Sequence, residues 1–289
     1  MFDVILVDFS WIYNKYYYVA KTRPLEQVDE SKDLVPVISK MLYQFFSLVE
    51  KSYPSSKILL VLDSPLSSTG NFSLNNQYKQ NRDKNEKKEV YKGFKKIVGL
   101  LSQKFSKKIN FVRAVSYEAD QVISYLAEKY KDKYKVLIFT GDKDLLQMSY
   151  YPNVEISDKY EKGLFLLKTD KQIFEKFKNS KGEDFTRISN NKRDILKYRV
   201  LKGDPSDNLK SVFPRIKDSD IVKIIRDYWI DEEELTSERI EDIIDDIKGD
   251  DIKLATKLKE STNTWLTNYK IMNLYNLQGI EVKKVVKNG

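Results

Sequence analysis

The sequence predicts an α/β fold with a mostly parallel central sheet flanked by helices. Three observations predict it. Residues 2–8 (Phe-Asp-Val-Ile-Leu-Val-Asp), Lys57 to Asp63 and Val136 to Phe139 are short, largely apolar runs, the pattern of strands buried on both faces. Segments of helical spacing separate them, and strands alternating with helices build parallel sheets. Each run also leads into an acid: Asp8, Asp63, and the pair Asp142 and Asp144. One Asp at a strand end is ordinary turn chemistry. Three of them converge on one sheet edge, and ligands in open α/β sheets bind outside the carboxyl ends of the strands.

Taken in order, the first strand is followed by an aromatic-rich helix over Ser10 to Tyr18. A second helix spans Lys32 to Lys51, with Val35, Ile38, Leu42, Phe45, Phe46 and Val49 on one stripe. After the second strand, Ser64 to Glu86 is polar and aperiodic, and loops of that length inside compact domains are functional or disordered. Lys87 to Phe105 returns to helical spacing, with Lys88, Lys92, Lys95 and Lys96 off the apolar stripe. A solvated helix face explains these lysines as well as a binding surface does.

Ile109 to Val115 reads as a strand, and Ser116 as the N-cap of a helix over Tyr117 to Tyr130. Glu118 and Asp120 fall in its first turn, where the helix dipole alone favours acids. Asp142 is equally explained as the cap of a helix beginning near Leu145. Val154–Ser157 and Leu164–Leu167 form a strand pair around Lys162-Gly163. From Asp170 onward the chain reads as mostly helical, with segments at Arg193–Lys202, Ser219–Trp229, Glu238–Ile247 and Thr264–Leu277. The expected division is a catalytic domain over 1–190 and a helical region over 191–289.

Composition narrows the chemistry. Among 289 residues there is no Cys and no His. That excludes disulfides, thiol nucleophiles, cysteine zinc sites and imidazole bases. A bound metal would be held by oxygen, which selects Mg²⁺, Mn²⁺ or Ca²⁺. No apolar run approaches the roughly 20 residues of a membrane span, and the first residues lack the basic flank of a signal peptide. A soluble intracellular protein is expected. The net charge of +8 is unevenly distributed. Lys79 to Lys108 holds eleven basic residues against three acids, whereas Asp231 to Asp251 holds eleven acids against two basic residues. One part of the chain is therefore suited to a phosphate backbone and another is not.

Six motifs then occur in order: Val-Asp8-Phe-Ser, Leu-Asp63-Ser-Pro, Tyr78-Lys79-Gln-Asn-Arg82, Tyr117-Glu118-Ala-Asp120, Thr-Gly141-Asp142-Lys-Asp144-Leu-Leu-Gln and Lys-Gly203-Asp204-Pro-Ser-Asp207-Asn208. Together, over about Phe2 to Asn208, they resemble the 5′ nuclease family of flap endonucleases and 5′–3′ exonucleases, most nearly the bacteriophage ribonuclease H type. The resemblance implies a PIN-like 5′ nuclease fold with two Mg²⁺ ions (Mn²⁺ substituting) at the sheet edge. Asp8, Asp63, Glu118 and Asp120 would serve the first ion, and Asp142, Asp144, Asp204 and Asp207 would serve or neighbour the second. Two dications about 3.5–4 Å apart repel, so they need such a dense anionic cage.

The resemblance also implies that Lys79 and Arg82 clamp the scissile phosphate, and that about 64–96 forms an arch or clamp over single-stranded 5′ ends. Within it, 64–86 is expected to be mobile without substrate. Tyr78 would stack on a base or belong to the core, and Lys84, Lys210, Arg215 and Lys217 would contact nucleic acid.

The sequence departs from the family pattern at two places. Gln121 stands where many relatives carry a further Asp. The loop Leu209 to Lys217 lacks the glycines of the family's duplex-gripping hairpin; no glycine lies between Gly203 and Gly249.

The reading is a metal-dependent 5′ nuclease acting on 5′ ends or flaps of DNA and RNA–DNA hybrids. Primer removal in phage DNA replication would be its role. It would be a monomer in the (host) cytoplasm, with replication proteins as further partners and no membrane. The alternatives are a PIN-like ribonuclease and an inactive relative that binds DNA structures.

Overall fold

The computed structural model describes residues 1–22, 34–64, 71, 73–80, 84–105, 109–174, 191–230 and 234–285. They fall into two compact units. The first comprises Met1–Ser67, Arg82–Lys168 and Tyr275–Gly289, and the second Ser68–Asn81 and Thr169–Leu274.

The first unit is built on a seven-stranded sheet in the order β6-β5-β4-β1-β2-β3-β7. β1 (Val4–Asp8) is buried along its whole length at the centre. It pairs in parallel with β2 (Lys57–Val61) and β4 (Val136–Phe139), with Asp8 opposite Val61 and Val7 opposite Phe139. β3 (Ile109–Ala114) lies parallel beside β2, and β5 (Val154–Glu161) parallel beside β4. This common register brings the carboxyl ends of the three acid-terminated runs to one edge. β6 (Leu164–Leu167) closes one side as an antiparallel hairpin on β5.

Helices α1 (Phe9–Thr22), α2 (Val35–Ser52), α3 (Lys84–Lys104) and α4 (Ala119–Tyr130) accompany the sheet. The apolar stripe of α2 is its buried face: Val35, Ile38, Leu42, Phe45, Phe46 and Val49. Phe9, fully buried directly after Asp8, meets Phe46, Phe94 and Phe111 at 6.3, 5.3 and 5.1 Å between ring centroids. An aromatic cluster therefore packs directly beside the acid that ends β1. No helix among the described residues is long and apolar enough to cross a membrane.

The second unit is helical: α5 (Asp170–Phe174), α6 (Asp194–Lys202), α7 (Asp218–Lys223), α8 (Ser237–Asp250), α9 (Ile252–Lys259) and α10 (Thr262–Met272). Trp229 and Trp265 pack at 5.5 Å in its core. The ammonium of buried Lys197 is satisfied by Asp194 at 3.3 Å and the Trp229 carbonyl at 2.6 Å. In α8 the isoleucines face inward while Glu241, Asp242, Asp245 and Asp246 are exposed, so these acids of the 231–251 stretch are solvated.

Several expectations are corrected. Ser116 does not cap α4; it takes a left-handed φ of 65°, and Glu118 is the N-cap. The segment after Gly141 is a 3₁₀ helix, Asp144–Tyr150, rather than an α-helix from Leu145. Ser219–Trp229 is not one helix, because α7 gives way to a π-helical turn over Ile224–Tyr228. The aperiodic stretch is shorter than 64–86: α3 begins at Lys84, and hydrogen bonds from Asn75 N to Asn71 O and from Tyr78 N to Asn75 O order part of the rest. Residues 65–70, 72 and 81–83 of the expected arch lie outside the described residues.

The boundary at 190 also shifts. The second unit begins at Thr169 and takes in 68–81, while the C-terminal segment returns to the first unit. It does so through β7 (Val282–Lys284), antiparallel to β3. Its Val-Lys-Lys sequence carries no apolar run by which to recognise a strand.

Gly203 ends α6 at φ 72°, and a Cβ there would lie 2.5 Å from the Lys210 backbone. Gly203→Ala is expected to destabilise the helical unit by about 2 kcal/mol or more, from left-handed strain plus the clash. Urea unfolding followed by the fluorescence of Trp229 and Trp265 measures it.

Candidate functional site

Asp8 is the last residue of β1 and is buried. Its Oδ1 accepts from the Trp11 amide at 3.0 Å and its Oδ2 from the Thr140 hydroxyl at 3.0 Å. Asp63 follows β2 by two residues. Its Oδ2 accepts from Ser10 Oγ at 2.7 Å, and its Oδ1 from the Ala119 amide at 2.9 Å. That second bond ties the β2 acid to the first turn of α4, beside Glu118 and Asp120. Asp142 donates its own amide to Thr140 Oγ1 at 3.0 Å and accepts from the Asp144 amide at 2.9 Å through Oδ1. Asp142 is not the N-cap as expected: Lys143 occupies that position, and the Asp142 carboxylate instead closes a turn onto Asp144, the first residue of the 3₁₀ helix.

These groups share one electrostatic environment. Burial pushes the Asp8 carboxyl up to about 7, and the charges of Asp63 and Asp142 push the same way, against the Trp11 and Thr140 hydrogen bonds. Asp8 thus feels the acids that follow the two strands flanking its own. An ionised Asp8 here is disfavoured unless a positive charge joins it.

Glu118 is buried and closes a capping box: its side chain accepts from the Gln121 amide, while Gln121 Oε1 accepts from the Glu118 amide at 3.0 Å. Gln121, standing where many relatives have an acid, thus completes the cap of α4. Asp120 accepts from the Gln121 amide at 2.7 Å. Six of the eight candidate metal-ligating acids belong to the sheet unit. Asp204 and Asp207 belong to the helical one.

There, Asp204 is held by Arg199 Nη2 at 2.6 Å and by the Ser206 amide and hydroxyl at 2.8 and 2.6 Å. Partial burial opposes its ionisation, but the Ser206 hydrogen bonds and the Arg199 charge hold its carboxyl below the usual range. Asp207 faces Lys79, whose Nζ lies 3.8 Å from its Oδ2 and whose amide donates to its carbonyl at 3.0 Å. Two residues expected to act on different parts of a substrate, Lys79 on phosphate and Asp207 on metal, are ion-paired. Both Lys79, at φ 55°, and Asn208, at φ 61°, are left-handed, and Asn208 Nδ2 donates to the Gln77 carbonyl at 2.8 Å.

Tyr78 is 5% exposed, with the Lys79 ammonium 4.7 Å from its ring centroid. Of its two readings, core packing is the one its burial favours. Arg82 lies outside the described residues, and Lys84 opens α3. Lys210, Arg215 and Lys217 are all exposed around the glycine-free loop. Arg215 takes φ 60°, so that loop makes its left-handed turn without glycine.

Sequence reasoning missed Ser10, Trp11, Thr140 and Arg199. Ser10 and Thr140 carry a faint signal, each a hydroxyl two residues from a strand-end acid. Trp11 carries none, and Arg199 reads as an ordinary cation in the last turn of a helix.

The sequence model of the 5′–3′ exonuclease N-terminal resolvase-like domain matches residues 3–178. The chain belongs to the 5′–3′ exonuclease family. It is 29% identical over 221 residues to a 5′–3′ exonuclease of Aquifex aeolicus, covering 75% of this chain and 68% of that one. With the 5′–3′ exonuclease of Mycoplasmopsis pulmonis it is 27% identical over 209 residues, covering 72% and 61%. The matches thus span roughly two thirds of the length of these relatives. Among solved structures, the zinc-bound 5′-exonuclease of T5 superposes with a TM-score of 0.66 at 15% identity, over 94% of this chain and 89% of that one. Human GEN1 bound to Holliday junction DNA gives 0.57 at 15% identity, over 99% and 63%. The fold of this 5′–3′ exonuclease family member is thus that of the PIN-like 5′ nucleases, as the sequence predicts.

The raised value at Asp8 has a signed consequence. Folded Asp8 holds its proton up to about 7, whereas an unfolded Asp releases it near 3.8. Between these values the native state binds more protons, so this group's contribution to stability falls as pH rises through the window. In chelator, Asp8→Asn is expected to raise the melting temperature of the sheet unit by a few degrees at pH 8 and leave it unchanged at pH 3.5. Calorimetry across that range checks it.

Proposed function

We propose that this chain is a divalent-metal-dependent 5′ nuclease that hydrolyses phosphodiester bonds at 5′ ends or flaps of DNA and RNA–DNA hybrids. The observation that carries the reading is the meeting of Asp8, Asp63 and Asp142 at one sheet edge, with Asp8 driven toward its neutral form by burial and its neighbours' charges. Such a cluster costs folding energy and is relieved by a cation. The donors are all oxygens in a chain without Cys or His, which fits Mg²⁺, with Mn²⁺ able to substitute.

When bound, the metal pair supplies hydroxide at neutral pH and neutralises charge on the attacking and leaving oxygens. The protein's part is geometric. Asp8, Asp63, Glu118 and Asp120 hold one position, and Asp142, Asp144, Asp204 and Asp207 hold or flank the second. Lys79 and Arg82 bind the scissile phosphate, for which Lys79 must exchange Asp207 for the substrate. Lys84, Lys210, Arg215 and Lys217 line the path of the nucleic-acid backbone. Tyr78 supports this path from the core, with its ring under the Lys79 ammonium. RNA primer removal in phage DNA replication, by a monomer in the host cytoplasm working beside replication proteins, is the role we assign.

Two measurements test the reading. The first incubates a 5′-flap duplex, an RNA–DNA hybrid and single-stranded RNA with Mg²⁺ or chelator. Wild type is expected to cut the first two only with Mg²⁺, and Asp142→Asn to lose about 10² or more in rate. Cleavage of the RNA alone would instead indicate a PIN-like ribonuclease, and binding without cleavage an inactive relative. The second is a salt titration of flap binding in Ca²⁺. Arg215→Ala and Lys217→Ala are each expected to lower the slope of log K against log salt by about 1; an unchanged slope removes these side chains from the backbone path.

A further inference from the structure

Two residues with no place among the candidate ligands join the β1 acid to the β4 acid. Thr140, 1% exposed, stands at the end of β4. Its hydroxyl proton goes to Asp8 Oδ2, while its oxygen accepts from the Asp142 amide, each at 3.0 Å. One hydroxyl therefore fixes the Asp8 carboxylate against the backbone that carries Asp142. Trp11 acts from the other side. Its amide donates to Asp8 Oδ1 at 3.0 Å. Its indole lies so close over Gly141 that a Cβ there would be 2.2 Å from Nε1 and 2.6 Å from Cε2. The ring is braced edge-on by Phe139 at 5.3 Å, with the Lys15 ammonium 5.1 Å from its centroid. Thr140-Gly141-Asp142 is thus gripped at its hydroxyl, at its glycine and at its amide.

We propose that Trp11 and Thr140 are positioning residues that hold the Asp8 and Asp142 carboxylates at the spacing needed to share divalent metal between β1 and β4. The inference rests on the metal-dependent reading above. Neither side chain need touch the ion. Thr140 sets which Asp8 oxygen is tied down, and Trp11 keeps the Gly141 backbone from drifting into the space above the sheet. Orientation of a ligand by a neighbouring hydrogen bond is worth about 10–100-fold in metal affinity elsewhere.

The test measures Mn²⁺ binding to the full chain without nucleic acid, by the electron paramagnetic resonance of free Mn²⁺, with a melting curve for each variant. Thr140→Val is expected to weaken the tighter binding about tenfold, and Thr140→Ser to stay within about twofold of wild type. Gly141→Ala and Trp11→Leu are each expected to weaken it. In the double variant the two effects should be less than additive, since removing the indole makes room for the methyl. Wild-type Mn²⁺ affinity in Thr140→Val, or Thr140→Ser as weak as Thr140→Val, overturns the role of Thr140. Strict additivity of Trp11→Leu and Gly141→Ala overturns that of Trp11. Flap cleavage by wild type, measured separately, keeps the two readings apart. A graded Mn²⁺ series without cleavage sinks the nuclease and leaves the positioning, and cleavage with a flat series does the reverse.

Discussion

Burial of the Asp8 carboxyl at the edge of the sheet, with the charges of its neighbours added to it, is the constraint on which the acidic edge depends. Placing Asp8 at the end of a fully buried strand, near Asp63 and Asp142, opposes folding through both desolvation and charge. The surroundings answer with directed hydrogen bonds. Ser10, the Ala119 amide, the Trp11 amide and Thr140 each give a proton to Asp8 or Asp63. Directly below, Phe9 and its three aromatic neighbours supply apolar burial. A polar edge that strains is thereby seated on close-packed aromatic core.

The helical unit meets the same problem differently. Asp204 has a guanidinium of its own, and Asp207 has Lys79. Its two acids are neutralised in pairs, whereas Asp8 and Asp63 accept from neutral donors. A carboxylate held by amides and hydroxyls gains more from an added cation than one that must first give up a partner.

How far the sequence revealed this depended on the length scale of the signal. The strands of the central sheet were legible because two-sided burial writes itself as apolar runs, and their ends gave the acids. Glu118 and Asp120 needed the ordered motifs, because helix-dipole chemistry explains acids there equally well. The cap of α4 was misplaced onto Ser116 because Ser is the commoner cap, while a buried Glu with Gln three residues later does the same work. β7 was illegible because two of its three residues are lysines on an edge strand. Trp11 and Thr140 were invisible for another reason. Their roles arise from what lies across the sheet, a relation that no local spacing records.

The antiparallel pairing of β7 with β3 has a further consequence. In sequence, the larger segment of the helical unit, Thr169–Leu274, is an insertion between β6 and β7 of the sheet. More than a hundred residues separate Leu167 from Val282, so the last ladder of the sheet joins chain segments made far apart in time. Such long-range pairing is slow to form and is completed late. During synthesis, β1 to β6 and the acidic edge can assemble while the outer side of β3 stays unpaired. The insertion can then fold as a helical body before the strand beyond it arrives. The three residues of β7 thus act as a clasp on β3, made by the last part of the sheet to be synthesised.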